Sequence, residues 1–207
     1  MTDERALRWP PADSQFPEKA TAFQDEAVAL IGRCLAGDGP AFTRLYNQHA
    51  AAIYRLAFSL LRNQEDAEEV LQDSFEYAFR KLRQYDPRRS AFKSWLFQIA
   101  VSRCRNKRRR KRPVLVPLTT ITSDEDIDKV SAAPYEVLER SVQYQAIWDA
   151  VGQLSPKLSE VAVLRYYEGY SYREIGRILG VPTKTAQSRM RLAQRALRDQ
   201  LAEIIEL

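Results

Sequence analysis

The chain has 207 residues, 45% of them hydrophobic, enough for a packed core and, at roughly 100–200 residues per domain, for one large domain or two small ones. It carries 32 Lys and Arg against 27 Asp and Glu, a net charge of +5, with one histidine and two cysteines. Cys34 and Cys104 lie far apart without metal-site spacing, so reduced structural thiols are expected, and His49 adds too little for a zinc site.

No apolar run approaches the roughly 20 residues that span a bilayer, and the N-terminus is polar, with acids and prolines, unlike a signal peptide. A soluble, cytoplasmic protein is expected. Residues 1–22, with Pro10, Pro11 and Pro17, read as a mobile extension. Residues 23–112 hold four helical stretches, with Gly37, Gly39, Pro40 and Pro87 falling between them. In the third stretch Ala67, Val70, Leu71, Ser74, Phe75, Ala78, Phe79 and Leu82 recur at three- and four-residue steps and form one apolar face. Asp66, Glu69, Gln72, Asp73 and Glu76 fall elsewhere, an acidic surface on a basic protein.

The fourth stretch is expected to start near Ser90, after the turn-forming Asp86-Pro87. Phe92, Trp95, Leu96 and Ile99 face the core, leaving Lys93, Ser94, Gln98, Ser102 and Arg105 outward. It runs into a tract from Arg103 to Arg112 that is Arg or Lys throughout except Cys104 and Asn106. Such a concentration is the footprint of a polyanion binder, or else a solvated helix end or a targeting tract. Residues 113–134 change character: Pro113, Pro117 and Pro134 flank a Thr/Ser cluster and the acidic Asp124, Glu125, Asp126 and Asp128, reading as a linker.

Helical periodicity returns over 135–207, and no strand pattern or internal repeat is visible, so the fold class is all-α with two small domains on a flexible tether. Ser155-Pro156 offers an N-cap with proline in the first turn, and the helix through Val161, Leu164 and Tyr167 ends near Gly169. Ser171 with Glu174 forms a capping box, Ile175, Ile178 and Leu179 supply an apolar face, and Gly180 turns the chain into the last helix. Short helix, glycine turn and second helix make the pattern of a helix-turn-helix. On the last helix Ala186, Met190, Ala193 and Leu197 share one side, and Lys184, Gln187, Ser188, Arg191 and Arg195 the other. Cations mixed with short hydrogen-bonding groups near a helix N-terminus suit base edges in a major groove, whereas Lys184 and Arg189 could equally hold phosphates.

These blocks resemble a known family. Phe42-Thr43-Arg44-Leu45-Tyr46, the run from Asp66 to Phe75 and the run from Phe92 to Ala100 resemble sigma region two. Leu154-Ser155-Pro156, Leu164 to Gly169, Ser171 to Gly176 and Leu179 through Arg189 resemble sigma region four. Their order and spacing are similar to an extracytoplasmic-function sigma factor of bacterial RNA polymerase, from Phe23 to the C-terminus.

The resemblance implies an alternative sigma factor that binds core polymerase and directs it to promoters. Asp66, Glu69, Gln72, Asp73 and Glu76 would dock on the coiled coil of the largest polymerase subunit, and region four would also meet the polymerase flap. Tyr85, Arg88, Arg89, Ser90, Lys93, Ser94, Trp95, Gln98, Ser102 and Arg105 would hold the non-template strand of the minus-ten element, with one base turned out of the stack. Arg173, Thr183, Lys184, Thr185, Gln187, Ser188, Arg189, Arg191 and Arg195 would read the minus-thirty-five duplex. An anti-sigma factor, which could hold the protein at the membrane, would be the regulator. No cofactor or metal ion is implied.

The chain departs from the family pattern in three places. Lys184 and Gln187 stand where Gly and a cation are common, and Gln can pair bidentately with adenine. Ser102 and Asn106 stand where Asn and Asp are common, and the N-terminal extension has no counterpart. Two rival readings stay in view. A stand-alone helix-turn-helix regulator leaves the acidic helix and linker without a role. An enzyme would need Asp66, Glu69 and Asp73 as a carboxylate metal site, yet no Glu-x-x-His pair, nucleophile–base pair or phosphate loop accompanies them.

Overall fold

A computed structural model describes residues 20–111 and 149–205, and every regular element among them is helical. The expected linker at 113–134 and nearly all of the expected extension lie outside the described residues.

Helix α1 spans Ala20–Leu35 and α2 spans Gly39–Leu61. Helix α1 thus begins inside the segment read as an extension: Ala20 and Ala22 favour helix, and the last proline, Pro17, lies upstream. Asp38 caps α2 by accepting from the Ala41 N–H at 3.4 Å, with Pro40 in the first turn. Arg62, at φ 55°, ends α2 in the left-handed region, and Asn63 immediately caps α3 (Gln64–Arg80) by accepting from the Asp66 N–H at 2.8 Å. Glu65 and Asp66 complement the helix dipole there.

A 3-10 turn, Leu82–Gln84, leads to the loop before α4 (Phe92–Lys111). That helix starts two residues later than the sequence suggests. The Tyr85 hydroxyl donates to the Ser90 carbonyl at 3.0 Å and the Arg88 N–H to Asp86 at 2.9 Å, which holds the backbone out of helix until Ala91. The described part of the basic tract, Arg103 to Lys111, continues α4 to its C-terminal end, as the sequence pattern suggests.

After a helical stretch at 149–153 come α5 (Pro156–Ala162), a π-helical turn (Val163–Tyr167), α6 (Tyr172–Leu179) and α7 (Thr183–Ile205). Ser155 occupies the N-cap of α5, yet its side chain makes no capping bond. Ser171 and Glu174 close the capping box of α6 in both directions. Gly180, at φ 68°, supplies the left-handed turn. Gly176 is required by space: a Cβ there would stand 2.8 Å from the Val181 carbonyl oxygen.

Leu45, Ile53, Leu56, Val70, Phe75 and Leu96 fill the core between α2, α3 and α4; Val161, Leu164, Ile175, Met190 and Leu197 fill that between α5, α6 and α7. The two cores meet, because α4 packs against α6, and α2 against the π-helical turn. Phe97, read as part of no face in the sequence, is fully buried, with its ring centroid 5.6 Å from that of Tyr170.

Candidate nucleic-acid interface

Helix α7 is presented as its sequence pattern predicts. Ala186, Met190, Ala193 and Leu197 are fully buried against α5 and α6. Thr183, Lys184, Gln187, Ser188, Arg191 and Arg195 are exposed, Thr185 and Arg189 are half-buried, and Arg173 is exposed on α6. Arg191 lies within 3.4 Å of the Ser188 hydroxyl, so the outward face is a connected polar strip. From its flank, Gln194 donates to the Tyr166 hydroxyl at 2.6 Å and pins α7 to the π-helical turn. A helix start carrying amide, hydroxyl and guanidinium groups on one open face has the donors and acceptors that base edges display in a major groove.

The acidic helix and the basic tract answer one another. Asp66 is buried, 7% exposed, with Lys111 Nζ at 2.5 Å and Lys107 Nζ at 3.5 Å, and Lys107 also pairs with Glu69. Arg103 sits over the Tyr77 ring at 4.9 Å. On the acidic surface Asp66 is thus buried beneath the lysines, whereas Glu69 stays exposed beside Lys107. Lys107 and Lys111, one turn apart on α4, pair with Asp66 and Glu69 in the first turns of α3, because these stretches lie side by side. Gln72, Asp73 and Glu76 remain exposed, and Glu76 makes a surface ion pair with Arg80. Arg109 and Arg110 are the cations of the described tract that stay exposed with no ionic partner among the described residues.

The loop before α4 is an aromatic cluster. Tyr85 meets Phe92 edge-on at 5.5 Å and Trp95 at 5.4 Å, and Phe92 and Trp95 lie 5.8 Å apart. Phe92 is core, whereas Tyr85 and Trp95 keep a half-exposed side. Burial, reinforced by Asp86, pushes the Tyr85 phenol up to about 12, so it remains a hydrogen-bond donor. Behind the cluster His49 packs on Phe92, and burial followed by the Lys93 charge lowers it to about 4. Cys104, buried in α4, is pushed up to about 12, chiefly by burial.

The outward face of α4 is split. Arg88, Arg89, Gln98 and Ser102 are exposed, and Ser90 and Ser94 half-buried. Arg105 is exposed and Lys93 half-buried, and both pair with the C-terminal half: Lys93 with Glu168 at 2.8 Å, Arg105 with Glu160 at 2.7 Å. The reason is a second neighbour. At about 100° per residue, Phe97, Val101 and Cys104 gather on a side of α4 well away from Phe92 and Leu96, and α6 covers it.

Two family models match the chain: Sigma-70 region 2 over residues 45–114, and Sigma-70 region 4 over residues 144–197. SigM of Mycobacterium tuberculosis, an ECF RNA polymerase sigma factor, is 32% identical over 174 residues, covering 81% of each chain. CarQ of Myxococcus xanthus, an RNA polymerase sigma factor, is 30% identical over 168 residues, covering 81% of this chain and 93% of that one. The chain belongs to the ECF RNA polymerase sigma factors. As a member it is a transcription initiation factor, an alternative sigma factor that directs RNA polymerase to promoters.

Another ECF sigma factor, SigE of Mycolicibacterium smegmatis, is 34% identical over 167 residues, which cover 79% of this chain and 63% of that longer relative. Among solved structures, RpoE in complex with the anti-sigma factor NepR from Bartonella quintana matches with a TM-score of 0.61 at 26% identity, over 78% of this chain and 96% of that one. CnrH in complex with the cytosolic domain of CnrY matches with a TM-score of 0.62 at 24% identity, over 84% and 96%, and shares the fold. In this sigma factor the residues that sequence reasoning missed are Phe97, Glu160, Glu168 and Tyr170, all at the seam between α4 and the C-terminal helices. A phenylalanine beside the outward face of α4, and a glutamate next to the apolar Val161-Ala162-Val163-Leu164 run, were the signals available.

Proposed function

We propose the following division of labour. Residues 23–112 form the unit that binds polymerase and the minus-ten element, 113–134 the tether, and 135–207 the unit that reads the minus-thirty-five duplex. Gln72, Asp73 and Glu76, with Asp66 and Glu69 behind them, dock on the coiled coil of the largest polymerase subunit, where opposite charge steers the encounter. Tyr85 and Trp95 offer stacking faces for the non-template strand, flanked by Arg88, Arg89, Ser90, Lys93, Ser94, Gln98, Ser102 and Arg105. Arg173, Thr183, Lys184, Thr185, Gln187, Ser188, Arg189, Arg191 and Arg195 face the duplex, and the same domain meets the polymerase flap.

The observation that carries this reading is the open polar strip on α7 directly after a capped helix and glycine turn. The carboxylates Asp66 and Glu69 are already ion-paired, which favours a docking surface over catalysis. The factor works in the cytoplasm with core polymerase, and an anti-sigma factor restrains it. No helix among the described residues is long and apolar enough to cross a membrane. Asp73→Arg, on the exposed end of the acidic face, should weaken co-purification with core polymerase at least tenfold and leave thermal unfolding unchanged. Retention equal to the unaltered chain would remove α3 from the docking surface.

A further inference from the structure

We infer that Glu160 and Glu168 stand in for DNA phosphates, holding the cations of α4 against the C-terminal half of the free chain until nucleic acid competes for them. The inference rests on the reading of α4 as the strand-binding helix. Glu160 lies on α5 and Glu168 follows the π-helical turn, and they are 2% and 4% exposed. Both are covered by side chains of α4. Arg105 meets both oxygens of Glu160, Nε to Oε1 at 3.0 Å and a terminal nitrogen to Oε2 at 2.7 Å, and it also reaches the Leu179 carbonyl at 3.4 Å. A guanidinium fork presents the same geometry to a carboxylate and to a phosphate. Arg108 lies 3.7 Å from the same carboxylate, and the Glu160 bond holds the Arg105 guanidinium more firmly charged.

The Lys93 ammonium meets Glu168 and rests over the rings of Phe97 and Tyr170 at 5.5 and 5.9 Å. Arg177 on α6 donates to the Arg89 carbonyl at 3.2 Å and so ties the loop of the aromatic cluster to the same neighbour. Two of the ten side chains assigned to the minus-ten strand are thus bound to carboxylates, and one more is held through its backbone. The same donors cannot serve Glu160 and a phosphate at once. The contact is also built to part. When the halves separate, Glu160 and Glu168 return to water, so no charge is left buried and alone, the outcome that makes ordinary buried pairs costly to break. Closure and strand binding are then linked, each weakening the other by the same factor.

The test uses the full chain carrying Glu160→Gln with Glu168→Gln, which keeps volume and removes charge. Its radius of gyration is measured by small-angle X-ray scattering, and its affinity for a short fluorescein-labelled thymidine oligonucleotide by anisotropy, at one low salt concentration. Glu65→Gln with Glu68→Gln, two exposed carboxylates of α3, serves as the charge-matched control. The expected result is a larger radius and about tenfold tighter oligonucleotide binding for the first variant, and little change for the control. The unaltered chain should expand likewise as salt rises, because the latch is ionic. An unchanged radius and affinity would overturn the latch, as would an equal gain in the control, which would reduce the effect to net charge. Expansion without tighter binding would overturn the phosphate mimicry and remove α4 from strand binding, leaving the α7 assignment intact. If the double variant loses helical circular dichroism, Glu168→Gln alone should show the same changes at smaller size, and no change there would overturn the inference.

Discussion

Helices α4 and α7 both carry a row of cations and both were expected to face DNA, yet they sit differently in the molecule. Helix α7 has one buried seam, Ala186, Met190, Ala193 and Leu197, and its far side is open. Helix α4 is buried on two sides, by α2 and α3 around Phe92 and Leu96, and by α6 and Tyr170 around Phe97. On α7 the cations are displayed. On α4 most are paired: Arg105 with Glu160, Lys107 and Lys111 with Asp66, Lys93 with Glu168. A basic helix is therefore a nucleic-acid surface only to the extent that its own chain leaves it one. Charge count alone does not distinguish the two cases.

The comparison can be broken most directly at the seam of α7. Met190→Ala removes a fully buried side chain and should cost about 2–5 kcal/mol of stability, read from urea unfolding. A much smaller cost would mean that α7 is not anchored by that single stripe.

The corresponding probe of α4 is pH. His49 packs on Phe92 at the start of α4, and its pKa is depressed from 6.5 to about 4, first by burial and then by Lys93. A depressed histidine is neutral in the folded state, so the unfolded chain binds more protons between these values. Its contribution is fully present above pH 6.5 and is lost as the pH falls toward 4, by as much as ~3 kcal/mol. His49→Gln should flatten that part of the stability profile; an unchanged acid limb would place the sensitivity elsewhere.

The open face of α7 gives the next effect. Arg191→Ala should weaken binding to a cognate promoter duplex by roughly 1–3 kcal/mol while sparing random DNA. An equal loss on both would reassign Arg191 to phosphate. The smallest effect belongs to the element that positions α7. Ser171→Ala opens the capping box of α6 and should lower stability by about 1 kcal/mol in the same unfolding assay.

The contrast also explains what the sequence could tell. Much of the local structure was legible. The capping box at Ser171, the left-handed Gly180 and the stripe of α7 depend on residues within a few positions of one another. The face of α3 was legible too, since Val70, Ser74, Phe75 and Ala78 recur on the helical period and all are buried. The start of α4 was misplaced by two residues, because Tyr85 and Asp86 tie down the loop. What could not be read was pairing between distant segments. Glu160 lies 55 residues from Arg105, and nothing in the spacing of either announces the other. The same holds for Phe97, whose partner Tyr170 belongs to the other half of the chain. Long-range charge pairing likewise engages Arg105, Lys107, Arg108 and Lys111 of the basic tract and leaves Arg109 and Arg110 exposed.

The most direct measurement is run-off transcription with bacterial core polymerase on a pool of genomic promoter fragments, with and without the full chain. The account predicts initiation that depends on the chain, at a subset of fragments sharing two spaced motifs, and its loss when Arg191→Ala is used in place of the unaltered protein. Promoter duplex binding by the chain, without any polymerase binding or initiation, would contradict the account and make the protein a regulator that acts apart from polymerase.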